Sequence, residues 1–74
     1  MKVHVNGELK VFPETGEPSR RLSLYQLLKD LGLDPDRAGI AVAVDQQVIR
    51  RQLWLQTAVQ SGCQIEIIQA VQGG

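Results

Sequence analysis

The residues with the most chemistry to offer are the last two, Gly73 and Gly74, and the α-carboxylate that Gly74 carries. They close a five-residue stretch, Ala70-Val71-Gln72-Gly73-Gly74, fed by the strand-like run Gln64-Ile65-Glu66-Ile67-Ile68. Glycine has no side chain and tolerates backbone angles closed to other residues. Gly73 therefore suits passage through a slot too narrow for anything larger. Extended, five residues reach roughly 17 Å beyond the strand. The reading is a delivery arm that carries the Gly74 carboxylate into another protein's active site. Its competitor is a frayed terminus, since chain ends are often disordered.

The remaining candidates are weaker. Cys63 is the sole cysteine, so no internal disulfide forms, and no second cysteine or nearby histidine offers a zinc site. As a nucleophile it needs an electropositive setting that the neighbouring residues do not supply. It follows Gly62 and reads as a turn residue. His4, the one histidine, reads as a solvated strand residue. Arg20 and Arg21 read as a solvated charge pair on a loop, with partner anchoring as the alternative. No Ser/His/Asp, Cys/His or paired-carboxylate arrangement is apparent, so an enzyme in its own right is the least favoured class.

The elements that must position the arm are few. Seventy-four residues form one small domain, 1–74, with a thin core and little room for an enclosed cofactor pocket. Eight basic and eight acidic residues cancel, which argues against tight binding to a nucleic-acid backbone. There is no apolar run of membrane-spanning length, and Lys2, His4 and Asn6 break the apolar stretch a signal peptide needs. Cytoplasmic residence is the expectation.

Met1, Val3 and Val5 alternate with Lys2, His4 and Asn6, a half-buried strand. Asn6-Gly7 is the strongest short hairpin signal, because a type I′ turn needs positive φ at both positions. Glu8 to Phe12 alternates again, with Leu9 and Val11 expected to face the core. Residues 13–21 are rich in turn formers and read as a loop. Ser23-Leu24-Tyr25-Gln26 matches a capping box, and Leu24, Leu27, Leu28 and Leu31 form one apolar helical stripe. Gly32 supplies the left-handed stop, closed by Leu33. Asp34-Pro35-Asp36 reads as a second, short cap.

Ile40, Val42 and Val44 alternate with Ala41 and Ala43, a strand apolar on both faces. Asp45-Gln46-Gln47 turns the chain into a short strand at Val48-Ile49. Arg50 to Leu55 is open between a helical turn and an irregular crossing. Trp54 is expected half-buried at the sheet edge, available for protein contact. Val59 is expected in the core, and Ile65 and Ile67 point inward with Ile68 outward. The order predicts an α+β fold, a mixed sheet of four or five strands with one main helix on one face. The uncovered face, with Ala41, Ala43 and Ile68, together with Trp54, is the candidate partner surface.

These residues together resemble the thiamine-biosynthesis sulfur carriers, the ThiS family of the ubiquitin-like β-grasp fold. The resemblance spans the chain. It rests on the strand into Asn6-Gly7, the Leu27-Leu28 helix and the Val44-to-Ile49 hairpin. It rests also on Arg51 with Trp54, the Gly62-Cys63-Gln64-Ile65 segment, and Gly73-Gly74. Two departures stand out. Cys63 replaces the family's usual aspartate, and the 13–21 loop is longer than in the shortest members.

The resemblance implies that an E1-like enzyme of the ThiF type adenylates Gly74, using its own ATP and Mg. A sulfur drawn from a cysteine desulfurase then displaces AMP, and the resulting thiocarboxylate serves a thiazole synthase of the ThiG type. The carrier itself binds no cofactor or metal in this reading. Molybdopterin synthesis, tRNA thiolation and ubiquitin-like protein modification share the tail and remain as alternatives. A β-grasp binding module, for RNA for example, is the remaining non-enzymatic class.

Overall fold

The computed structural model describes residues 1–12 and 22–69. The expected loop over 13–21, with Arg20 and Arg21, and the expected arm over 70–74 lie outside these residues. β1 (Lys2–Val5) and β2 (Glu8–Val11) form the opening hairpin, and α1 (Leu24–Asp30) follows. β3 (Ile40–Val44) and β4 (Gln47–Ile49) form a second hairpin, and β5 (Gln64–Gln69) comes last. The five strands make one sheet in the order β2-β1-β5-β3-β4. β5 runs parallel to β1 and antiparallel to β3, so the sheet is mixed.

The turns set the registers. Asn6 and Gly7 have φ of 51° and 82°, the left-handed pair of a two-residue turn, which places Val5 opposite Glu8. This register overturns the expected inward facing of Leu9 and Val11. Residues directly opposite share a face, so Leu9 follows His4, and Val11 follows Lys2, onto the solvent side. Leu9 is 53% exposed and Val11 70% exposed. The apolar residues of β1 take the inner face, and the tight turn leaves β2 no choice but the opposite phase.

α1 closes as expected at its C-terminus and differently at its start. The Ser23 hydroxyl accepts the Gln26 N–H at 3.0 Å, the first half of the capping box. The second half is absent: the Gln26 side chain donates to Asp30 Oδ1 at 2.9 Å instead. Main-chain carbonyls from the 54–57 segment do part of the capping. Leu24 N–H donates to Thr57 O and Tyr25 N–H to Trp54 O, which satisfies first-turn donors without a second side chain. At the other end Gly32 has φ +84°, and the pair Gly32 N–H to Lys29 O and Leu33 N–H to Leu28 O forms a Schellman closure. The Asp34-Pro35-Asp36 segment is a turn rather than a helix start, closed by Arg37 N–H to Asp34 O and Asp36 N–H to Asp34 Oδ1.

The core lies between the sheet's inner face and α1. Val3, Val5, Val42, Ile65 and Ile67 from the strands meet Leu24, Leu27 and Leu28 from the helix, with Phe12, Val59 and Cys63 filling the ends. Burying each aliphatic side chain contributes about 1.5–3 kcal/mol. Trp54 corrects the expectation of an edge residue: it is 1% exposed and the largest fully buried side chain. The 3-10 turn Arg51–Leu53 resolves the open Arg50–Leu55 segment and swings the indole under the sheet. Its Nε1–H donates to Ile49 O at 2.9 Å, which removes the cost of burying a polar group.

Arg51 caps this arrangement. Its guanidinium lies 4.7 Å from the Trp54 ring centroid and donates to the carbonyls of Pro35 and Arg37. A planar group with several donors suits two carbonyls and an aromatic face at once.

Candidate functional site

β5 is the middle strand of the sheet, and the chain leaves it after Gln69 toward the terminal glycines. Its last register partner on β3 is Ile40, opposite Gln69. On the other side β1 departs earlier, with Val5 opposite Ile65 as the last strand pair. The sheet therefore narrows toward the exit. A side chain occupies the place β1 has left: Asn6 Oδ1 accepts the Ile67 N–H at 2.8 Å, and Asn6 Nδ2 donates to Ile67 O at 3.3 Å. In the sequence Asn6 carries a turn signal only. No local pattern shows that its carboxamide would meet a strand 61 positions away.

The outer face is the sheet surface turned away from α1. Ala41 sits directly opposite Ile68, and Ala43 lies between Glu66 and Val48 in register. Ile68 is 65% exposed and Val48 73% exposed. Ala41, Ala43 and Ile68 thus share one face, as the alternation in β3 and β5 predicts. Val48 joins them. The sequence held a clue in the two-residue turn: Asp45 and Gln46 have φ of 50° and 71°, which pairs Val44 with Gln47 and turns Val48 outward. Trp54 is buried and does not belong to this face. Leu9 and Val11 reach the same side of the sheet at its far edge, beyond His4 and Gln64.

Cys63 is buried, 7% exposed, and its carbonyl accepts the His4 N–H at 3.1 Å. Burial pushes its thiol pKa up, with the Asp45 carboxylate adding in the same direction against a lowering main-chain hydrogen bond from the Gln60 side. Such a thiol is a small core residue with little thiolate character. The Asp45 carboxylate accepts the Gln64 N–H at 2.9 Å and its own N–H donates to Gln64 O at 2.7 Å, tying the second hairpin to the start of β5. Among the described residues no three His, Cys, Asp or Glu side chains converge to hold a metal. No described helix is long and apolar enough to cross a membrane.

A five-stranded mixed sheet with a central last strand, two tight hairpins and one helix on one face defines a ubiquitin-like β-grasp domain. Two solved structures of a thiamine biosynthesis protein (ThiS) from Geobacter metallireducens share the fold. The crystal structure superposes with a TM-score of 0.74 at 24% identity, covering the whole of both chains. The solution structure gives 0.70 at 27% identity, covering all of this chain and 88% of the other. The sulfur carrier protein ThiS of Escherichia coli K12 is 40% identical over 52 residues, which is 70% of this chain and 76% of that protein. The ThiS family model matches residues 3–74. The chain belongs to the ThiS family, the small sulfur carriers of thiamine biosynthesis.

Proposed function

We propose that the Gly74 carboxylate is the sulfur attachment point and that the folded body serves to present it. The observation that carries this reading is the extent of the family match, which runs through Gly73 to Gly74. A carboxylate is inert toward sulfur nucleophiles, so activation comes first. An E1-like enzyme of the ThiF type, using its own ATP and Mg, lets a Gly74 oxygen attack the α-phosphorus and releases pyrophosphate. A persulfide sulfur, drawn from a cysteine desulfurase, then attacks the acyl carbon and expels AMP. A thiol reduces the resulting acyl disulfide with two electrons and leaves a thiocarboxylate. Covalent intermediates divide one hard transfer into easier ones. A thiazole synthase of the ThiG type receives the sulfur, and the carrier contributes no catalytic group. This sequence of events takes place in the cytoplasm. Gly73 allows passage into the enzyme, and Ala41, Ala43 and Ile68, joined by Val48, form the face on which partners dock.

The test is intact mass spectrometry after incubation with the activating enzyme, ATP and a sulfur source. The expected result is a gain equal to one oxygen-to-sulfur exchange, lost on deletion of Gly74 while the circular dichroism spectrum is unchanged. Sulfur acceptance by the deletion variant, or lysine-linked conjugates in place of a thiocarboxylate, would overturn the proposal. For the docking face, Ala43→Arg and Ile68→Arg should each weaken binding to the activating enzyme by tenfold or more, about 1.4 kcal/mol. Unchanged affinity in both would remove that surface from the account.

A further inference from the structure

We infer that Asn6 is a positioning residue for the reactive terminus, acting through the end of β5. The inference rests on the carrier reading above. β1 ends at Val5, yet β5 runs on to Gln69. Among the described residues, β5 from Glu66 onward has a strand on one side only, β3. A strand paired along one edge opens locally more readily than one paired along both. The Asn6 carboxamide fills the empty side at one place. It is planar, with an acceptor and a donor side by side, and it takes the Ile67 N–H at 2.8 Å and offers a hydrogen to Ile67 O at 3.3 Å. It stands in for the peptide that a longer β1 would have supplied.

The backbone around Asn6 makes this a built feature. Its own N–H donates to Ile65 O at 2.9 Å, so main chain and side chain of one residue bind the main-chain groups of Ile65 and Ile67, the two successive β5 positions that turn these groups toward the β1 edge. Its φ of 51° turns the chain away immediately afterwards. Asparagine is among the few residues that both tolerate this angle and carry such an amide. The anchored carbonyl and N–H of Ile67 lie only two residues before the end of β5 at Gln69. What Asn6 holds is the base from which the terminal segment departs. In a transfer reaction, misplacing the reacting group by a small distance costs a large factor in rate. Binding of the body to a partner does not depend on it, because Ala41, Ala43, Val48 and Ile68 sit on the outer face of the sheet.

Two substitutions separate the amide from the turn. Asn6→Gly keeps a residue at home in positive φ and removes the amide. Asn6→Asp keeps the turn and the Oδ1 acceptor but sets a second acceptor against the Ile67 carbonyl. The readouts are exchange of the Ile67 amide hydrogen and steady-state adenylation, followed as pyrophosphate release with the activating enzyme. Asn6→Gly should exchange at Ile67 at least tenfold faster and lose about tenfold in kcat, with KM within about twofold of wild type. Asn6→Asp should retain part of the protection and part of kcat. Val59→Ala, a core truncation remote from the exit, is the control for lost stability and should leave kcat unaltered while folded. Wild-type kcat in Asn6→Gly, or an equal loss in Val59→Ala, would overturn the inference alone. A wild-type protein that releases no pyrophosphate and takes no sulfur would overturn the carrier reading beneath it.

Discussion

Replacing Trp54 by phenylalanine should be among the most damaging conservative changes in this domain. The indole is 1% exposed and its Nε1–H donates to Ile49 O at 2.9 Å. Phenylalanine keeps one ring and loses that donor. The lost hydrogen bond, with a carbonyl left short of a partner, costs about 1–2 kcal/mol. The missing ring volume removes buried apolar contact and leaves a partial void, worth about another 1–2 kcal/mol. Arg51, now 4.7 Å from the indole centroid, also exchanges its best aromatic partner for a poorer one. The sum is about 2–4 kcal/mol. A chain of this length has roughly 4–11 kcal/mol in total, so about a fifth of its stability or more goes. The melting temperature should fall by roughly 10–25 °C. Trp54 is the only tryptophan, so its fluorescence vanishes with the substitution and urea unfolding must be followed by far-ultraviolet circular dichroism. Leu53→Ala, at a neighbouring residue 46% exposed, supplies the contrast and should cost well under half as much. A loss below about 1 kcal/mol for Trp54→Phe would refute the reasoning, since a fully enclosed, hydrogen-bonded indole cannot be trimmed so cheaply.

Two further outcomes follow from local geometry. Gln46 holds φ of 71° in a two-residue turn, an angle that costs a side-chain-bearing residue more than it costs glycine. Gln46→Gly should stabilise by about 0.5 kcal/mol after the larger entropy of the unfolded glycine is subtracted, read as a higher urea midpoint. An unchanged or lower midpoint would contradict this. Burial raises the Cys63 thiol pKa in the folded state. Its contribution is therefore full below the unfolded thiol value of about 8.5 and is lost as pH rises through the higher folded value. Wild type should lose more stability than Cys63→Ala on going from neutral to strongly alkaline pH, and parallel profiles for the two would argue against a buried neutral thiol.

Much of this architecture is written locally. The Asn6-Gly7 turn, the Leu24, Leu27, Leu28 stripe, the Gly32 stop and the alternation in β3 and β5 all depend on near neighbours, and each is where its pattern places it. The departures share a different origin. Leu9 and Val11 carry a strand pattern, but which face they take depends on the register imposed by the turn. Trp54 sits in a segment with no periodicity, and its burial depends on the 3-10 turn and on Arg51 reaching the Pro35 and Arg37 carbonyls. The Gln26 half of the capping box is not made because its side chain turns along the helix to Asp30, while carbonyls of Thr57 and Trp54, distant in sequence, take the Leu24 and Tyr25 N–H groups. Of the candidate surface, Ala41, Ala43 and Ile68 follow from alternation alone, whereas Val48 needs the hairpin register and Asn6 needs β5 beside it.

The placement of β5 has a consequence for how the protein is made. Before β5 emerges from the ribosome, the chain holds two ribbons, β1–β2 and β3–β4, that share no edge. Neither two-stranded ribbon is stable in water by itself. The keystone of the sheet is the last of its five described strands in chain order, so the architecture assembles in one step rather than growing outward. A polypeptide broken off between Ile49 and Gln64 yields a pair of loose hairpins for the proteases, not a smaller version of the domain.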